Sequence, residues 1–212
     1  MLLVGGCDRS RPARPATLAP MSDRRVAAYA AEGVVWSRLA ALLPAAEDVD
    51  EVQGCWDIAE QEAGLDLLVG RLVELGLPVG ESARTEIAVM AEQWGEWDRL
   101  GAAIVACPGE DAQPVSLRVF EDGDEEAPVP LDVLGERADP EQVLVPWIAC
   151  VACGRVLARV HRRQEWGDLS YTAESYVVFA QDGSIEPLLF PGEDDGSGWS
   201  ALEALRRACL CG

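Results

Sequence analysis

Two close pairs of cysteines, Cys150-Val-Ala-Cys153 and Cys209-Leu-Cys211, constrain this chain more than any other feature. Two thiols three residues apart, with Gly154 next, let the backbone wrap around one point. Glycine tolerates the left-handed dihedral of such a turn, and nearby amides can donate to the sulfurs. Four soft thiolates around a tetrahedral point select Zn2+ over magnesium or calcium. With every position filled by protein, no open site is left for water, so the expected metal is structural. The expected ligands are Cys150, Cys153, Cys209 and Cys211. The 55 residues from 154 to 208 separate the pairs, a gap wide enough for a hairpin and a helix. Other readings are a redox CxxC, which wants a strand followed by a helix, plain buried thiols, or His161 in place of one cysteine. Cys7, Cys55 and Cys107 stand alone and read as ordinary thiols.

The 212 residues allow one large domain or two small ones, and 49% hydrophobic with 25% charged residues is ordinary globular composition. No stretch reaches the roughly 18–20 apolar residues of a membrane span. The opening Met-Leu-Leu-Val-Gly-Gly-Cys7 has the look of a lipid-attachment box but lacks a basic stretch before it and a long enough apolar run. Residues 1–20, rich in Arg and Pro beyond position 9, read as a disordered N-terminal extension. A cytoplasmic protein with reduced thiols is expected, and in that compartment patterned cysteines point to metal before disulfide.

Residues 21–108 read as a helical bundle domain. Val26, Tyr29, Gly33, Trp36, Ala40 and Leu43 recur at steps of three and four, the mark of one helical face. Pro44 and the acidic run Glu47–Glu51 read as a break. A second helix is expected from about Cys55 to Leu75, stopped by Gly76 and Pro78, and a third from Ser82 through Ile104. Residues 109–142 form an acidic, Pro-rich connection with one short strand at 116–120. In residues 143–212 strands are expected at 143–148, 156–160, 175–180 and 184–190. Asp182-Gly183 makes the last two a hairpin, and Ser200 caps a final helix over 201–209. The expected fold is α+β: an N-terminal three-helix bundle, then a small zinc-stapled, mainly antiparallel β domain with a C-terminal helix.

The net charge is −20, and all 17 basic residues are Arg. Residues 26–107 carry four Arg against fifteen acids, −11, and residues 108–148 two against eleven, −9. Such a surface repels nucleic acid and anionic membrane and attracts a basic protein. One basic cluster exists. Arg155, Arg159, His161 and Arg163 share a strand face by period two, with Arg162 beside them. They read either as a solvated face balancing Glu165 and Asp168 or as an anion-binding patch, through which a zinc-ribbon regulator would touch nucleic acid. The charge balance favours the solvated face. With a single His and no nucleophile elbow, phosphate loop, dinucleotide fingerprint or metalloprotease motif, an enzyme is not expected.

The stretch Cys55-Trp56-Asp57-Ile58-Ala59-Glu60-Gln61-Glu62, continued through Leu72-Val73-Glu74-Leu75-Gly76-Leu77-Pro78-Val79 to Glu86-Ile87, resembles the helical hairpin of small bacterial immunity proteins of the Maf type. The resemblance covers about residues 55–105, a quarter of the chain. It implies a protein that binds and neutralises a cognate toxin, and the acidic helical half suits a basic one. Acids on exposed helix faces, Glu60, Asp66, Glu74 and Glu92, are the expected partner contacts.

Overall fold

The computed structural model describes residues 23–110, 116–124, 127, 133, 139–192 and 196–209. Helices α1 (Asp23–Ala40), α2 (Ala46–Asp57), α3 (Gln61–Glu74), α4 (Glu81–Gln93) and α5 (Trp97–Ala106) come first. Strands β1 (Leu117–Val119), β2 (Gln142–Cys150), β3 (Arg155–Arg162), β4 (Ser175–Ala180) and β5 (Leu188–Pro191) follow, and α6 (Ser197–Ala208) comes last. The fold class is α+β, but five helices stand where three were expected.

Two local causes account for the extra helices. The acidic run is no break: Glu47 and Asp48 occupy the first turn of α2, where the positive end of the helix dipole favours carboxylates. Helix α2 then stops at Ala59, which takes φ +61. The Glu60 amide donates to the Cys55 carbonyl (2.8 Å) and the Ala59 amide to that of Trp56 (3.1 Å), a left-handed helix end with alanine where glycine is usual. The expected third helix is split in the same way at Gly95, φ +71, with the Glu96 amide reaching back to Ala91.

The strands form one antiparallel sheet in chain order, β1 to β5. The Asp182-Gly183 turn forms, its amide bonded to Ala180, but β5 begins only at Leu188, so the connection is longer than a two-residue turn. Helix α6 starts at Ser197 after Gly196 at φ +82, and Ser200 lies inside it rather than capping it.

Side chains on β3 alternate between two cores, as the pleat requires. Val156, Ala158 and Val160 face a small cluster with Phe120, Val177 and Phe179. Leu157 belongs to the large cluster, together with Trp36, Leu65, Ile87, Met90, Trp147, Val178 and Leu202. One continuous core therefore runs from the helices to one sheet face. Trp147 and Ile148 both join it, across a register shift between Pro146 and Ile148 that re-aims the strand.

Helices α1 and α3 pack closely in this core at Gly64. Trp36 is buried and fixed by donating its indole N–H to the Val52 carbonyl, 3.1 Å. A Cβ at Gly64 would lie 2.5 Å from Trp36 Cζ2 and 2.8 Å from Cys55 Cβ. Gly64→Ala is therefore expected to destabilise by about 1–3 kcal/mol, although alanine favours a helix by about 1 kcal/mol. Urea titration reads it, and an unchanged midpoint would mean that Trp36 is not held.

Candidate metal centre

The turn between β2 and β3 carries the first cysteine pair. Cys150 is the last residue of β2 and is buried. Gly154, at φ +67, donates its amide to the Cys150 carbonyl (2.9 Å), and its own carbonyl accepts from the Gln181 amide (3.1 Å). This closes a tight knuckle that brings Cys153 back beside Cys150. The third thiol comes from the other end of the molecule. Cys209 follows the last turn of α6, its amide bonded to the Leu205 carbonyl (3.0 Å). Helix α6 is anchored by Ala201, Leu202 and Leu205 in the large core, which fixes where Cys209 arrives.

The sulfurs of Cys150, Cys153 and Cys209 all lie within 4.8 Å of one another. The Cys153–Cys209 separation is 3.5 Å. A disulfide needs about 2.05 Å. The sulfur–sulfur edge of a tetrahedral site with zinc–sulfur bonds of about 2.3 Å is roughly 3.8 Å. The spacing thus suits a shared metal and not a bond between the sulfurs, and all three are free thiols.

The electrostatics are uneven. Burial pushes the Cys153 thiol up. Donation from the Arg155 amide, the Cys150 thiol, the Arg155 side chain and Cys209 outweighs it and brings Cys153 down to about 6. Cys209 moves well up, first by burial and then by its two sulfur neighbours. These residues can hold a metal ion. Cys211, the expected fourth ligand, lies outside the described residues, as does Cys7.

His161 is not part of the cluster. It is buried further along β3, with Nδ1 2.8 Å from the Ser170 carbonyl oxygen. Cys55 and Cys107 stand apart, and Cys107 donates to Ala103 at 3.3 Å.

The basic strand is corrected at its centre. Arg159 is fully buried, so it is neither a solvated residue nor an anion-binding one. Its guanidinium donates to Glu92 Oε2 at 2.7 Å and to the Asp122 carboxylate, and lies 5.1 and 5.3 Å from the Trp97 and Trp147 ring centroids. Period two did place Arg159 on one face with His161, but that face looks into the helices. Glu92 is corrected with it. It is only 4% exposed, and its second oxygen accepts from the Ala173 amide at 3.2 Å, so it cannot meet a partner.

The other expected contacts are on the surface. Glu60, Asp66 and Glu74 are exposed. Asp66 pairs with Arg99, and Glu74 with Arg71 at 2.6 Å. Arg155 sits at the cysteine knuckle, and Arg163 is exposed with a bond to the Gly167 carbonyl at 3.4 Å. Arg162 is held by Asp139 (3.0 Å), Glu141 (2.9 Å) and Glu174 (2.7 Å), three carboxylates at close range to any approaching phosphate. Among the described residues no helix is long and apolar enough to cross a membrane.

Compared with known proteins, the chain matches no protein-family model, no curated protein and no solved structure.

Proposed function

We propose that this chain is a non-enzymatic cytoplasmic protein-binding protein with a structural zinc ion, and that it acts as an immunity protein against a basic toxin. The supporting observation is the charge on α2, α3 and the turn between them. Glu47, Asp50, Glu51, Asp57, Glu60 and Glu62 are all exposed, while Arg71 is the only basic residue on either helix. Arg71 is already shared between Asp48 (3.2 Å) and Glu74. Ile58, 66% exposed, stands in the turn amid these acids. An apolar residue inside a charged ring is a common arrangement for a protein contact. The zinc would fix the end of α6 against the turn between β2 and β3. The reducing cytoplasm suits thiols kept for metal.

The test is a low-salt pull-down with the tagged chain, followed by association kinetics with the captured protein. A basic, toxic partner is expected. Reversing Glu51, Glu60 and Glu62 to Arg should slow its association at low salt by at least about tenfold. Association that ignores both salt and this reversal would sink the acidic-face reading.

A further inference from the structure

Away from the cysteines, α1, the end of α4, the turn after α2 and Gly196 line a half-open cavity of about 370 Å3. Its walls include Tyr29, Glu32, Gln61, Gln93 and Trp94. Glu32 is only 5% exposed. Its two oxygens accept from the Trp94 indole N–H and the Gln93 amide, both at 2.8 Å. Among the described residues no Arg forms an ion pair with it. Arg25 shares the cavity wall but is engaged in a contact of its own. Burial raises the Glu32 pKa, and the Trp94 and Gln93 bonds only partly offset this.

The aromatic walls are fixed. Tyr29 stacks on Trp56 with centroids 4.5 Å apart, and its hydroxyl accepts from Gln61 at 2.8 Å. The bond to Glu32 sets the orientation of Trp94. As a pin between α1 and α4, a neutral glutamine would serve as well and avoid the cost of burying a charge. A carboxylic acid at this position, in place of an amide, makes sense if a cation completes it.

We infer that this cavity binds an organic cation of the guanidinium class, anchored by Glu32 and walled by Tyr29 and Trp94. The volume falls in the range of small-ligand sites, about 300–1,000 Å3. A planar guanidinium stacks on aromatic rings and can use the second lone pair of each Glu32 oxygen. A single carboxylate is a poor cage for a metal ion, and it repels anions. The ligand can be a free small cation or the arginine side chain of a protein, and the inference does not depend on the acidic α2–α3 face.

Ethylguanidinium chloride is titrated into the full chain while the Trp94 indole resonance is followed by NMR, with NaCl at equal ionic strength as reference. A saturable shift in the millimolar range is expected. Glu32→Gln should weaken it by at least about tenfold, while melting at an equal or higher temperature than the parent at neutral pH. A shift that never saturates, or one that saturates equally in Glu32→Gln, overturns the assignment. Tighter binding of N-acetyl-arginine methylamide than of ethylguanidinium would assign the cavity to a protein side chain. Equal or weaker binding would assign it to a free cation.

Discussion

Purified from cells with its thiols kept reduced, the chain is expected to carry zinc in equimolar amount and to lose much of its stability when a strong chelator removes it. Structural zinc contributes roughly 10–16 kcal/mol of apparent binding energy in small zinc-finger peptides. Less is at stake here, because α6 also buries Leu202 and Leu205 and burial of each such side chain contributes about 1.5–3 kcal/mol. The helix would stay partly docked while the knuckle at Cys150 to Gly154 loosened. A loss of about 4 kcal/mol corresponds to a fall in melting temperature of roughly 8–16 °C for a chain of this size. Cys150→Ser and Cys153→Ser should each reproduce that fall and empty the site. Cys55→Ser, outside the cluster, should leave the zinc content unchanged. Because the ligands must be thiolates, acidification should release the metal before the rest of the chain unfolds. Chelated protein with an unchanged melting curve, or native protein with only trace zinc, would leave three close thiols without a metal role. Cys211→Ser asks the remaining question. Loss of zinc would make Cys211 the fourth ligand, and retention would point to another donor.

How far the sequence disclosed this arrangement depends on the kind of signal. Most strands were legible because apolar runs between turn residues carry their own punctuation, and Gly154 marked the knuckle, but β5 begins at Leu188 and not directly after Asp182-Gly183. The convergence of Cys209 on Cys150 and Cys153 was legible because cysteines in close pairs suggest one chemistry. The helix count was not. At Gly95 an amphipathic stripe continues through the break, so Ile87, Met90, Trp97 and Ile104 look like one face although two helices supply them. At Ala59 a left-handed helix end carries a residue that gives no hint of one. The polar core was misread for a different reason. Alternation reveals that Arg159 and His161 share a face but not which layer covers it. Only the packing of α4 against the sheet turns Glu92 and Arg159 from surface charges into a buried pair. The carboxylate of Glu32 was hidden in the same way, since an acid on a helix is solvated by default until a neighbouring helix end closes over it.

Replacing Arg159 is expected to be the most damaging single change on β3, and its partner the best rescue. Arg159→Met fits the space between Trp97 and Trp147 but leaves Glu92 buried, with the Ala173 amide as its remaining donor. Breaking a buried pair on one side costs about 3–5 kcal/mol, because a charge is left without compensation. The lost cation–π contacts add to this, by about 1–2 kcal/mol. Asp122 adds little, since its side chain is 40% exposed and water can take the place of the guanidinium. Arg159→Met combined with Glu92→Leu removes both charges, and such apolar replacements of buried pairs are often neutral or stabilising. The double variant should therefore recover most of the loss and give a coupling energy of about 2–3 kcal/mol in a denaturant-based double-mutant cycle. The Ala173 amide, left without its acceptor, keeps the recovery incomplete. If the two single changes simply add, Glu92 must take up a proton or reach water when Arg159 is gone, and the pair would then be a contact between layers and not the element that holds their register.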